Sequence, residues 1–253
     1  MSLGLTACFI VCPLIFLSGV VDAIGGGGGI ISLPAYLLAG LPPQLAIGSN
    51  KLSSSVGTAV STAMFARRGF VEWKTALSFV VSALIGAAIG ARITLLVPDR
   101  ILEYGLLVVL PVVALAIFKK KDAALTEVET TPPRFLLATF FAFAIGLYDG
   151  FYGPGTGTFL ILALSGAAGY ALNHAVGYTK VINLSSNVSS LVVFLINGKV
   201  YIPLAGAAVI FSIAGQYVGA RLVLKDGQKI VRPVIVAVLA LLFFKVMYDT
   251  FLA

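Results

Sequence analysis

The sequence predicts an all-α polytopic membrane protein built from two internal repeats, each with a glycine-broken helix. Of its 253 residues, 59% are hydrophobic and 11% are charged, whereas soluble domains average roughly 45–50% and 25%. Glycine-rich stretches at 22–29 and 149–157 interrupt apolar segments. Because lipid tolerates an interrupted helix only where the backbone is buried or lines a cavity, the two breaks indicate the substrate site of a transporter.

Eight apolar runs are close to the ~20 residues that a helix needs to cross the hydrocarbon core. They lie at 3–24, 43–66, 73–97, 101–118, 134–150, 171–196, 201–224 and 229–251. No basic segment precedes the first run, so we expect it to be retained rather than cleaved as a signal peptide. Two shorter runs, 29–40 and 157–168, follow the breaks and are predicted to be half-helices. The protein has eight segments if both are re-entrant, and about ten if each completes a crossing.

Motifs that recur 129 positions apart indicate a duplication. Gly86-xxx-Gly90-Ala-Arg92 recurs as Gly215-xxx-Gly219-Ala-Arg221, and Lys51 recurs as Lys180. The small residues spaced four apart predict faces on which helices pack closely. We assign repeat 1 to 1–118, a cytoplasmic linker to 119–133 and repeat 2 to 134–253.

The distribution of basic residues predicts the topology, because cytoplasmic loops are rich in lysine and arginine. Three lysines at 119–121 place the linker in the cytoplasm, and Arg67 and Arg68 place their loop there too. In the second half, the basic cluster lies instead at 221–232. This exchange between matching loops favours inverted repeats with both termini outside the cytoplasm. A parallel arrangement of eight segments is the alternative.

Polar side chains form a stripe along one predicted helix in each half. The first stripe is Lys51, Ser54, Ser55, Thr58 and Thr62, and the second is Lys180, Asn183, Asn187 and Ser190. Unpaired polar groups in lipid cost several kcal/mol each, so both stripes are predicted to face a polar interior. The alternative for the two lysines is that they snorkel to the membrane surface.

Asp22 and Asp149 directly precede the two breaks. Each could neutralise a lysine, cap the following half-helix or carry a proton. Capping is disfavoured because several glycines separate each aspartate from the half-helix. Pairing with Lys51 and Lys180 is the simplest structural interpretation, and both aspartates are candidates for ion pairing or proton coupling.

The breaks also predict the charge of the ligand. Their backbone N–H groups and the positive dipole ends of the half-helices favour an anion, as do the two lysines. The candidate substrate-binding residues are Gly26, Gly27, Gly28, Asn50, Lys51, Ser54, Ser55, Gly153, Pro154, Gly155, Thr156, Thr179, Lys180, Asn183 and Asn187.

Other classes of function find no support in the sequence. Motifs of hydrolases, P-loops and metal sites are missing, so no enzyme activity, cofactor or metal is expected. The net charge of +7 follows from the basic loops and does not indicate nucleic acid. His174 is expected to be a hydrogen-bonding residue rather than a proton relay. Cys8 and Cys12, one helical turn apart, are expected to be free thiols.

Together the motifs resemble the sulfite exporter TauE/SafE family of membrane permeases, along essentially the whole chain. The similar strings are Asp22-xxx-Gly-Gly-Gly-Gly-xxxx-Pro34, Asn50-Lys51, Arg67-Arg68-Gly69-x-Val71, Gly86-xxx-Gly90-Ala, Tyr148-Asp-Gly-Phe-Tyr-Gly-Pro-Gly-Thr-Gly157 and Gly198-Lys-Val200. The last glycine-rich string looks like that of the bacterial inner-membrane branch. It departs from the commoner Gly-x-Gly-Gly-Gly pattern, so the two halves of the site are unequal.

The resemblance implies a secondary transporter, in the exporting direction, for sulfite, organosulfonates or related organic anions, located in a bacterial inner membrane. An anion-selective channel, a carrier of other anions such as carboxylates and a structural membrane subunit are the alternatives. The oligomeric state stays open, and a homodimer is one of the options.

Overall fold

The computed structural model describes residues 5–102, 131–226, 229–230 and 233–234. Within these ranges the protein is helical and contains no β-strand. Nearly all residues of the predicted spans at 101–118 and 229–251 and of the 119–133 linker lie outside the described ranges. The proposed division into repeat 1, linker and repeat 2 therefore stays a prediction.

The helices coincide with the predicted apolar runs to within a few residues. They are α1 (Leu5–Gly25), α2 (Gly29–Leu38), α3 (Pro43–Arg67), α4 (Trp73–Leu96), α5 (Pro132–Phe151), α6 (Thr156–Leu162), α7 (Leu172–Ile196) and α8 (Ile202–Asp226). A π-helical turn, Ala163–Ala167, continues α6. The two short helices, α2 and α6, follow the glycine breaks, which confirms the predicted half-helices.

Five helices of the described chain are long and apolar enough to cross a membrane: α1 from Ala7 onward, α4, α5, α7 and α8. Helix α3 has 25 residues and is long enough as well, but its polar stripe lowers its hydropathy. The protein is therefore a multi-pass membrane protein. All residues of the two stripes except the half-buried Ser54 are buried inside the bundle, where α3 packs on α7. This burial confirms the predicted orientation of the stripes.

Glycines end α3 and α7 in the same way. Gly69 and Gly198 have φ angles of 81° and 66°, a conformation that glycine adopts without a steric penalty. The following residues, Phe70 and Lys199, donate backbone hydrogen bonds of 3.1 and 2.8 Å back to the last helical turn. These bonds satisfy carbonyl groups that the helix end would otherwise leave unpaired.

The small-xxx-small motifs bring helix backbones into contact, as predicted. A Cβ added to Gly90 of α4 would lie 2.0 Å from the carbonyl oxygen of Leu147 in α5, and one added to Gly219 of α8 would lie 2.5 Å from that of Val20 in α1. The glycines four residues earlier in α4 and α8 make equally close contacts. Such close approach increases van der Waals contact, on which helix association in lipid depends.

Contacts between the two halves are reciprocal. Gly48 packs on the carbonyl oxygen of Lys199, and its counterpart Gly177 packs on that of Phe70. In the same manner α8 packs on α1 while α4 packs on α5. Two halves related by a two-fold axis would make contacts of this kind. The internal repeat and its inverted orientation stay predictions, and these contacts support the first of them.

Candidate functional site

The two glycine breaks meet inside the bundle. Gly26 has a φ of 75°, and a Cβ there would lie 2.2 Å from the carbonyl carbon of Gly157 in α6. The hydroxyl of Thr158 donates a 2.6 Å hydrogen bond to the carbonyl oxygen of Gly25, the last residue of α1. Glycine is required at this crossing because any side chain would separate the two backbones.

Backbone donors are left free at both breaks. Within the described ranges, the N–H groups of Gly27, Gly28, Gly153 and Gly155 have no protein acceptor. Gly28 and Gly153 also line the cavity described next. Since buried N–H groups are nearly always paired, these positions offer hydrogen bonds to a ligand or to water.

A small polar cavity lies beside the breaks. Most of the candidate residues line it. They are Gly26, Gly28, Asn50, Lys51, Ser54, Gly153, Thr156, Asn183 and Asn187, together with Asp22 and Asp149. The structure therefore brings together residues of α1, α3, α5, α6 and α7 that are far apart in sequence.

Six other candidates do not line the cavity: Gly27, Ser55, Pro154, Gly155, Thr179 and Lys180. The hydroxyl of Ser55 donates to the carbonyl oxygen of Lys51 at 2.6 Å, a bond within its own helix. The carbonyl oxygen of Pro154 accepts the hydroxyl of Tyr148 at 2.7 Å. These two residues support the site from outside the cavity.

Several cavity residues were not among the candidates. They are Ile15, Ser18, Gly19, Gly29, Ser32, Ser53, Thr58, Ser212 and Gln216. Thr58 belonged to the first polar stripe, so its spacing had already indicated a buried position. Ser212 and Gln216 lie one turn apart on α8, and a glutamine inside an apolar run was the signal that could have identified this helix.

The lysines and aspartates pair crosswise between the halves. Lys51 Nζ lies 2.9 Å from Asp149 Oδ2, and Lys180 Nζ lies 3.0 Å from Asp22 Oδ2. The lysine residues are 1% and 0% exposed, so the snorkelling alternative is wrong. Sequence reasoning predicted pairing of these residue types, and the structure adds that each partner comes from the opposite half.

Asp149 is fully supplied with donors. Its Oδ1 accepts the hydroxyl of Thr156 at 2.9 Å, and its Oδ2 accepts that of Ser186 at 2.5 Å as well as the ammonium of Lys51. Lys51 also donates to Asn187 Oδ1 at 3.0 Å. Such additional hydrogen bonds are what allow a buried ion pair to offset the desolvation of its charges.

Asp22 has a different set of partners. Its Oδ2 accepts Lys180 Nζ and, at 2.7 Å, Gln216 Nε2. Lys180 donates in addition to the backbone carbonyl oxygen of Asp22. The formal charges of the two ion pairs sum to zero, so the positive potential predicted from the lysines is offset by the carboxylates.

His174 lies away from the cavity. Its Nδ1 is 3.2 Å from the carbonyl oxygen of Phe70, which agrees with the expected hydrogen-bonding role. Cys8 and Cys12 are free thiols, as expected.

A family model described as "Sulfite exporter TauE/SafE" matches residues 11–246. The chain belongs to this family. Family membership confirms the resemblance seen in the glycine and lysine motifs, and the chain is a membrane transporter of the TauE/SafE type.

Three relatives are similar to this TauE/SafE chain over most of their length. "Probable membrane transporter protein ORF9" of Sinorhizobium sp is 34% identical over 92% of this chain and 90% of the relative. "Probable membrane transporter protein YfcA" of Escherichia coli (strain K12) is 30% identical over 96% and 93%. "Probable membrane transporter protein YdhB" of Bacillus subtilis (strain 168) is 27% identical over 82% and 87%. No solved structure matches the chain.

Proposed function

We propose that this protein is a secondary transporter that exports small sulfur-containing oxyanions such as sulfite or organosulfonates. The observation that carries the proposal is the polar cavity beside two touching helix breaks, inside a bundle that is otherwise apolar. Broken helices with free backbone groups at mid-bundle are typical of transporter substrate sites. The family description supports a sulfur oxyanion as the substrate.

The cavity offers hydrogen-bond donors of several kinds. The N–H groups of Gly28 and Gly153 are free, the ammonium of Lys51 borders the cavity, and the amides of Asn50 and Asn183 line it. A sulfite or sulfonate group presents three oxygens, and charge-assisted donors bind such groups strongly. Because the lysines are paired, hydrogen bonding must supply much of the selectivity and net positive charge little of it.

The breaks also provide a place where the two halves could move. The backbone contact between Gly26 and Gly157 joins the halves without interdigitating side chains. Transporters of this general architecture rock one repeat against the other around a fixed site. In this proposal the substrate binds at that contact and is released to alternate sides.

Flux in proteoliposomes tests the proposal. Purified protein is reconstituted, and entry of labelled sulfite, an organosulfonate and a carboxylate is measured against protein-free vesicles. We expect saturable flux of the sulfur oxyanions that is reduced about tenfold or more by Asn183→Ala, because a lost charge-assisted bond to the anion weakens binding by that order. Asn197→Ala is the matched control, since Asn197 is exposed and bonds only within its own helix end.

Each alternative has its own result. Flux that fails to saturate would indicate an anion-selective channel, and flux of carboxylates alone would assign a different substrate class. The absence of flux for all three anions would contradict a transport function in this assay and favour a structural subunit.

A further inference from the structure

The end of the cavity at Asp22 contains oxygen acceptors that lack donors. Gln216 of α8 lines the cavity and is 2% exposed. Among the described residues, its side-chain oxygen Oε1 has no hydrogen-bond partner. A buried amide oxygen without a partner costs free energy, so its position needs an explanation.

The orientation of the Gln216 amide follows from its neighbours. Its Nε2 lies 2.7 Å from Asp22 Oδ2 and 3.5 Å from Thr58 Oγ1. A flipped amide would place Oε1 against the carboxylate of Asp22, where two acceptors would face each other. The nitrogen must therefore face Asp22, and the oxygen is left to accept from something else.

Two glycines lie against Gln216. A Cβ added to Gly19 of α1 would lie 3.0 Å from the backbone nitrogen of Gln216, and one added to Gly57 of α3 would lie 3.2 Å from its Cγ. The amide nitrogen reaches both Asp22 of α1 and Thr58 of α3, so the side chain lies between these two helices. Close packing against Gly57 limits the movement of the Gln216 side chain.

Asp22 itself carries a second oxygen acceptor without a donor, although this oxygen is not fully buried. Its Oδ2 takes the bonds from Lys180 and Gln216, and within the described ranges no donor is bound to Oδ1. The side chain of Asp22 is 12% exposed and that of Asp149 is 4% exposed. Both carboxylate oxygens of Asp149 accept hydrogen bonds. The two aspartates differ in this way because the halves differ in sequence. The position in the first half that corresponds to Gln216 is Ala87, 129 residues earlier, so the first half has no counterpart of the Gln216 amide.

We propose that the Asp22 end of the cavity binds an alkali metal cation, Na⁺ or K⁺, through Asp22 Oδ1 and Gln216 Oε1. Acceptor atoms cannot bind an anion, so these two require a positive or donating ligand. A divalent ion prefers several carboxylates, whereas this end has one that is already paired with Lys180. Hydroxyl oxygens of Thr58 and Ser212 line the same cavity, and the negative dipole end of α1 is adjacent.

The cation also has a role that rests on the proposed function. The two ion pairs are neutral together, so an anion bound alone would leave a net negative charge inside the membrane. One alkali cation bound with one monovalent anion restores neutrality, which lowers the desolvation penalty. The site would therefore move the cation together with the anion, so export in this proposal requires a cation whose gradient is directed outward.

Binding can be measured on the purified full chain without any transport assay. Melting temperature in nanodiscs is recorded in NaCl, KCl and choline chloride at equal ionic strength, and retention of ²²Na⁺ and ⁸⁶Rb⁺ is measured by equilibrium dialysis. We expect saturable stabilisation by Na⁺ or K⁺ relative to choline, since a ligand that binds only the folded state raises its stability. Equal melting temperatures in the three salts, with no ion retained, would overturn the proposal.

Variants locate the site. Gln216→Leu keeps the size of the side chain and is expected to abolish the cation-dependent shift. Ser186→Ala is the matched control at the other ion pair, because it removes a hydrogen-bond donor from Asp149. This variant should have a lower melting temperature but the same cation-dependent shift as the unaltered protein. If Gln216→Leu does not fold, Gln216→Glu replaces it, and a second carboxylate beside Asp22 should make stability depend more strongly on the cation.

Three outcomes count against the site. They are a shift that survives in Gln216→Leu, a Gln216→Glu protein indifferent to the cation, and a shift that follows pH instead of the alkali ion. Failure of this proposal is distinguishable from failure of the proposed function, because anion flux is measured separately. Anion flux that does not depend on the cation would support the transport function and contradict the coupling. Cation binding without anion flux would support the cation site and contradict the transport function.

Discussion

Lys51 and Lys180 are each held by an aspartate of the opposite half, deep inside the bundle. Removing one partner of a buried pair leaves an uncompensated charge, which typically costs about 3–5 kcal/mol. We therefore expect Lys51→Met to destabilise the protein by roughly that amount. The double variant Lys51→Met/Asp149→Asn should regain most of the stability, because neither charge remains.

Transport separates a structural role of the pair from a functional one. If Lys51 donates to the substrate, the double variant should fold normally and still lose sulfite flux. Denaturant unfolding and flux are measured on the same preparations, with Lys74→Met as the control, since Lys74 is exposed. Full flux in a stable double variant would show that the pair serves folding alone.

For single residues, the sequence predicted which types of side chain are buried better than it predicted which side chains pair with each other. The helical spacing of Lys51 and Lys180 was sufficient to place them on buried polar faces. Their crosswise pairing was not predictable, because it depends on which helices are neighbours in space. Gln216 was missed because it belongs to neither polar stripe and follows Gly215, whose motif had been assigned to packing.

The helix breaks are the elements that organise the site, and their glycines have unequal tasks. Gly26 contacts the backbone of Gly157, so Gly26→Ala is expected to lower stability strongly, by separating the halves. Gly27 lies between the cavity-lining Gly26 and Gly28 and has no positive φ and a free N–H group. Gly27→Ala should therefore disturb the adjoining cavity wall and weaken anion binding more than it lowers the melting temperature. Melting temperature and anion affinity of the two variants are compared side by side.

Gly155 is a poorer position for this test. Its φ of 79° strains any alanine there, so stability and binding would fall together. A Gly27→Ala protein that melts early yet binds the anion normally would contradict the idea that the break offers N–H groups to the substrate. The glycines would then act only in helix packing.

The bounds of the helices were predictable because each apolar run ends at a proline, a glycine or a polar loop. Helix α3 shows the limit of hydropathy, since its stripe makes it too polar to be counted among the apolar helices that could span. The pattern of Lys51, Ser55 and Thr58 on one face predicted its burial correctly. Periodicity was informative here where mean hydropathy was not.

For the whole molecule, the topology is a prediction from the distribution of charge. The basic residues predict that the 119–133 linker lies in the cytoplasm and that both termini lie outside. An odd number of crossings in each half would produce this arrangement, and the matching helices would then run in opposite directions. The reciprocal contacts of Gly48 with Lys199 and Gly177 with Phe70 suit a two-fold relation of this kind.

Cysteine accessibility measures the topology directly. Cys8 and Cys12 are replaced by alanine, single cysteines are placed at Ser2, Leu125 and Leu252, and intact cells are treated with a membrane-impermeant maleimide. We expect labelling at positions 2 and 252 from outside and at 125 only after the membrane is opened, because inverted repeats put the linker opposite both termini. Sulfite flux of each variant is the control for native folding. Labelling of all three positions from one side would instead require an even number of crossings per half, and the parallel arrangement of eight segments would then replace the inverted one.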